Sequence, residues 1–94
     1  MVENTNHSEV LLKVKSSSSA SSLAAAIANN VYANMDITLR AIGAAAVNQT
    51  MKALAIAQSY VGPRGYVLAC RPGFATVMMD DGEISALIFK VIVS

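Results

Sequence analysis

Cysteine is almost missing. Cys70 stands alone among 94 residues, which excludes an internal disulfide and a thiolate metal cluster and fits a reducing cytosol. It follows an apolar run and reads as an inert small core residue. Tryptophan is absent and aromatic residues make up only 5%. Base stacking needs exposed rings; with Phe89 read as core, Tyr60 and Tyr66 are left as platforms. His7 is the single histidine, so a Ser-His-Asp or Cys-His arrangement has no placed base. The acidic residues Asp80, Asp81 and Glu83 crowd one turn, too few at fixed spacing for a metal site. The chain therefore reads as non-catalytic, with no metal and no cofactor.

Charge is scarce as well. Charged residues are 14% of the chain, against about 25% in an ordinary soluble domain. The net charge of +1 gives no general pull on nucleic acid or anionic lipid, so any basic footprint is local. Long apolar runs are missing too: no stretch of roughly 18 uncharged apolar residues would span a membrane. Met1–Ser8 lacks a basic signal-like start and reads as a frayed tail, leaving residues 9–94 as one domain. What is abundant is hydrophobic side chain, 54% of the sequence. With so little polar surface and no membrane segment, self-association follows.

The patterning supplies the elements. Val10, Leu12 and Val14 alternate with Lys13 and Lys15, the period of two of a strand with one basic face. The serine tract Ser16–Ser22 then offers an N-cap, and a helix follows from about Ser19 to Ala33 with its stripe at Ala20, Leu23, Ala24, Ile27 and Val31. Asn29, Asn30 and Asn34 weaken its end. Ile37, Leu39 and Ala41 alternate with Thr38 and Arg40, and Gly43 closes that strand. In the next helix Val47, Met51, Leu54 and Ala55 share one side. Ala45, Asn48, Gln49, Lys52, Ile56 and Tyr60 share the other, a mixed face that suits a contact surface. Gly62–Gly65 is a turn cluster. Tyr66–Arg71 reads as a strand broken at Pro72-Gly73 and resumed at Phe74–Met79. Asp80–Glu83 carries an Asp-Gly hairpin signal, and Ile84–Val93 completes the pair.

The order β-α-β-α-β-β predicts a parallel crossover unit followed by an antiparallel hairpin. The fold is an α/β, two-layer α+β sandwich with a mixed four-stranded sheet. Both helices open just past the carboxyl ends of parallel strands, where such sheets bind ligands and where helix amides favour anions. Gly43–Ala46 lets a backbone or ligand approach closely.

Lys13, Lys15 and Arg40 on neighbouring parallel strands make a local basic patch that suits phosphates, or simply solubilise an apolar sheet. Asn48, Gln49 and Lys52 offer amides and a point charge to bases or phosphates, or a polar rim to a subunit contact marked by Ile56 and Tyr60. Ser17 and Ser18 lie in a tract able to bind an anion, or serving only as a cap. Arg64 and Arg71 extend the patch, or are ordinary surface arginines.

The run R-A-I-G-A-A-A-V-N-Q-T-M-K-A-L-A-I-A (Arg40–Ala57), followed by Tyr60-Val61-Gly62-Pro63 and later D-G-E, resembles the stage V sporulation protein S family over roughly Val10–Val93. That resemblance implies an Alba-like fold, a homodimer or larger assembly, and a DNA- or RNA-binding regulatory role associated with late sporulation. Archaeal Alba proteins carry a lysine pair where this chain has Ser17 and Ser18. They carry arginines where it has Ile42 and Ala44, and they reach into DNA with hairpin arms whose tip here is acidic. An acidic tip suits a single strand or RNA better than a clamped duplex. The leading expectation is thus a cytoplasmic, oligomeric nucleic-acid-binding regulator, and the alternative is a protein-interaction module that binds no nucleic acid.

Overall fold

Each run of period-two alternation forms a strand, and each stretch between them that follows a capping residue forms a helix. The computed structural model describes residues 8–94, so His7 and all but Ser8 of the expected N-terminal tail lie outside the described residues. The elements are β1 (Glu9–Val14), α1 (Ala20–Tyr32), β2 (Asp36–Ala41), α2 (Ala44–Val61), a 3-10 turn (Gly62–Arg64), β3 (Leu68–Met79) and β4 (Gly82–Val93).

The sheet order is β1-β2-β4-β3. The β1–β2 pair is parallel, as a crossover through α1 requires; β2–β4 and β3–β4 are antiparallel. Helix α1 starts where Ser19 accepts from the Ser22 amide, satisfying one of the free amides of the first turn. It stops at Asn34, which adopts a left-handed φ of 60°, a conformation asparagine tolerates better than most residues. Helix α2 opens at Gly43, with φ 93° and ψ 157°, a region essentially reserved for glycine. The I-G-A junction therefore exists because only glycine turns the chain from β2 into α2 there.

Both helices lie on one face of the sheet. Val14, Ile37, Leu39, Ala41 and Phe89 from the strands meet Ala24, Ile27, Ala28 and Val31 from α1 and Ala46, Ala53, Ala57 and Val61 from α2. On α2 the buried stripe differs from the expected one. Ala46, Thr50, Ala53, Ala57 and Val61 are buried, whereas Met51 and Ala55 are exposed and Val47 and Leu54 are half-buried. The reason is proximity: α1 and α2 pack side by side, and alanine permits the close approach. Thr50 satisfies its hydroxyl by donating to the Ala46 carbonyl at 2.9 Å, so it can sit inside.

The second departure is in β3, which runs unbroken through Pro72, paired with Phe89. β3 is the outermost strand, and proline is tolerated on an edge because its missing N–H can face away from the partner strand. Gln58 fixes the start of that strand, donating to the Tyr66 carbonyl at 3.0 Å and accepting from the Leu68 amide at 2.7 Å. The hairpin turns at Asp80–Asp81, with Met79 paired to Gly82.

Candidate nucleic-acid interface

Strand alternation sends odd and even residues to opposite faces, so register decides which side chains share a surface. The core side carries Val14, Leu39 and Phe89, against which both helices pack; neither helix lies on the other side of the sheet. On that open face Lys13 pairs with Arg40, Arg40 with Ile88 and Thr38 with Lys90, and Lys90 with Arg71. Lys15, one residue past β1, joins them: Lys13, Lys15, Ser16, Arg40, Ile42 and Met79 line a cavity of about 310 Å³. Lys13, Lys15, Arg40, Arg71 and Lys90 are five of the seven basic residues in the chain.

The expected patch of Lys13, Lys15 and Arg40 thus comes together on one surface, and Arg71 joins it from across the sheet. Lys90 escaped sequence reasoning. It looks like one charge in an apolar run, and its pairing with Thr38 and Arg71 puts it beside the other cations. The signal available was parity: Lys90 alternates with Phe89 and Val91, both of which pack with the core.

The other expected residues fall elsewhere. Asn48 and Lys52 are exposed on α2, in the helical layer and so on the opposite side of the sheet from the cations. Gln49 is part-buried and donates from Nε2 to the Ser18 carbonyl at 2.7 Å, while the Ser18 hydroxyl accepts from the Lys15 amide at 2.9 Å. Ser18 and Gln49 therefore brace the β1–α1 loop, and Ser17 is exposed on it. Arg64 sits at the far ends of the helices, its guanidinium carbon 4.2 Å from the centre of the Tyr32 ring. That is about 20 Å from Ser18, the length of a 13-residue helix, so Arg64 does not join the cations.

The aromatic platforms are limited. Tyr66 is half-buried and tilted against Tyr32 at 5.9 Å between ring centres. Tyr60 is 44% exposed, and its carbonyl accepts from the Tyr32 hydroxyl at 3.2 Å. Ile56, expected beside it as an oligomer contact, is half-buried against the core. The largest exposed apolar groups lie instead along β3. Phe74 is 80% and Met78 71% exposed, on the same side of β3 as Leu68 and Cys70. Those two residues and Met51, Leu54, Ala55 and Gln58 line a groove of about 210 Å³. Among the described residues no helix is long and apolar enough to cross a membrane.

Two parallel strands joined through a helix, a second helix and a terminal antiparallel hairpin make this an Alba-like two-layer protein. The solved structure of Alba from Thermoplasma volcanium matches with a TM-score of 0.61 and 14% identity, covering 90% of this chain and 99% of that one. At the level of sequence, the model of the Stage V sporulation protein S (SpoVS) family matches residues 10–94, and the chain belongs to that family.

Proposed function

We propose that this SpoVS-family chain is a small, self-associating regulatory protein of the cytoplasm that binds DNA or RNA through its phosphates and catalyses nothing. The observation that carries the reading is the cavity at the carboxyl ends of β1 and β2, lined by Lys13, Lys15 and Arg40 together with Ile42 and Met79. Cations beside apolar side chains in one cavity suit a phosphate chain with its bases turned inward. Near-neutral net charge leaves this local cluster, rather than the whole molecule, to supply the attraction.

Fluorescence anisotropy with labelled single-stranded DNA, RNA and duplex DNA at several salt concentrations tests the reading. Each phosphate contact releases counterions, so affinity falls as salt rises. Lys13→Glu with Arg40→Glu weakens binding and flattens that dependence. No binding below about 100 μM at low salt, weaker than ordinary non-specific contact, would sink it.

A second reading, a protein-interaction module, is favoured by the apolar strip from Leu68 to Met78 on the outer strand. An unpaired edge strand with large exposed side chains is a ready partner-binding surface. In the first reading the same strip, with the adjoining α2 groove, supports self-association alongside the expected contact at Ile56 and Tyr60.

A further inference from the structure

The five open-face cations do not form a round patch. Successive open-face residues on a strand are two apart, so the pairing defines rows across the sheet. Lys13 and Arg40 share a row with Ile88 and Gly73; the next row holds Leu11, Thr38, Lys90 and Arg71. Lys15 stands one row further out on the β1 side. Read in order, Lys15, Lys13, Arg40, Lys90 and Arg71 descend one diagonal from the end of β1 to the outer strand β3. With strands about 4.8 Å apart and about 3.3 Å per residue along each, that diagonal is about 20 Å long.

Carboxylates border it on both sides. Glu9 and Asp36 pair with one another in the row beyond Leu11 and Thr38, and with Thr38, Arg71 and Lys90 they line a second cavity of about 220 Å³. On the other side lies the hairpin turn, with Asp80 and Asp81 between the last pair of the ladder, Met79 and Gly82. Between these borders the cations are interspersed with Leu11, Ile42, Met79 and Ile88, and with Thr38 as a neutral polar side chain.

We propose that the five cations form a single lane across the open sheet face, and that this lane takes one single-stranded polynucleotide in preference to a duplex. The proposal rests on the nucleic-acid reading above and deepens it. A duplex presents two phosphate rails separated by grooves about 6 and 12 Å wide. With one rail on the lane, the other falls toward Glu9 and Asp36 or toward the acidic hairpin end, where like charges repel. A single strand has one rail, and its unpaired bases can lie against Leu11, Ile88 and Met79 instead of the aromatic rings this face lacks.

The test uses the full chain, a labelled 12-nucleotide single strand and the duplex of the same sequence, titrated across a range of salt concentrations. The variants are Arg71→Gln with Lys90→Gln at the far end of the lane, Lys13→Gln with Arg40→Gln at the near end, and Lys52→Gln on the helical layer. Arg71, Lys90 and Lys52 are exposed, and circular dichroism checks each fold. The wild type binds the single strand at least about tenfold more tightly than the duplex. The Arg71/Lys90 variant lowers the log–log salt slope by about 1.4, two contacts at about 0.7 each, and Lys52→Gln changes nothing. Unchanged affinity and slope in the Arg71/Lys90 variant, with loss in the Lys13/Arg40 variant, overturns the lane while leaving the nucleic-acid reading intact. Duplex binding as tight as the single strand, or equal competition by polyglutamate, also overturns the lane. No binding of either oligonucleotide ends both proposals.

Discussion

Gln49 on the second helix donates to the main-chain carbonyl of Ser18 at 2.7 Å, so the loop entering the first helix is held by the helix that follows the second strand. The same loop carries Lys15, whose amide donates to the Ser18 hydroxyl. One amide side chain thus ties both helix starts together and fixes the position of a lysine at the cavity. Gln49→Leu removes that tie and leaves the Ser18 carbonyl to water. The expected cost is about 1 kcal/mol. For a domain of this size that appears as a thermal midpoint lower by roughly 4–8 °C, read by differential scanning calorimetry.

The close contact between the helices gives a contrast between two substitutions. Ala57 is fully buried on α2, so Ala57→Leu overpacks the layer and destabilises by about 1–3 kcal/mol. Thr50→Val keeps the shape and removes only a hydroxyl that bonds one turn back, a bond that adds little to a helix; it stays within about 0.5 kcal/mol of wild type. Urea denaturation of the pair measures both, and equal losses would contradict the packing described.

At Gly43 the backbone conformation, not space, is limiting. A Cβ there meets nothing within 4 Å, yet φ is +93°. Gly43→Ala therefore costs about 1–3 kcal/mol through strain alone, and chemical denaturation reads it. A loss within error of zero would mean that the turn from β2 into α2 relaxes freely.

Phe74 and Met78 separate stability from assembly. Both are largely exposed, so Phe74→Ser with Met78→Ser leaves thermal stability at low protein concentration within about 0.5 kcal/mol. Self-association predicts that wild type sediments as a species larger than the 9.8 kDa chain and that the double variant shifts toward that mass. A wild type that sediments as a single chain at high concentration contradicts the self-association reading.

Much of the fold was legible because its signals are local. Val10–Val14 and Ile37–Ala41 alternate cleanly, Ser19 caps, Asn34 and Gly43 punctuate, and the order of elements then dictates a parallel pair and a hairpin. The core face of α2 was not legible, since its buried residues are alanines and a threonine while larger apolar residues sit on its flank. Bulk is a poor guide where two helices approach closely. Pro72 misled for a related reason: a proline breaks an inner strand but not an edge, and edge position depends on strand order. Strand order also governs the candidate site. Lys13 with Arg40 could be read from adjacent parallel strands, whereas Lys90 and Arg71 joined them only once β4 was placed between β2 and β3. The packing of both helices on the core face separated Lys52 and Asn48 from the basic face, and the length of α1 separated Arg64.

Amide chemical-shift mapping of the labelled chain, titrated with a short single strand at low salt, decides whether nucleic acid lies on the open sheet face. The largest shifts are expected on Leu11, Lys13, Lys15, Thr38, Arg40 and Ile88, with the outer surface of α2 unmoved. Shifts confined to Asn48, Lys52 and their neighbours on α2 would contradict that placement.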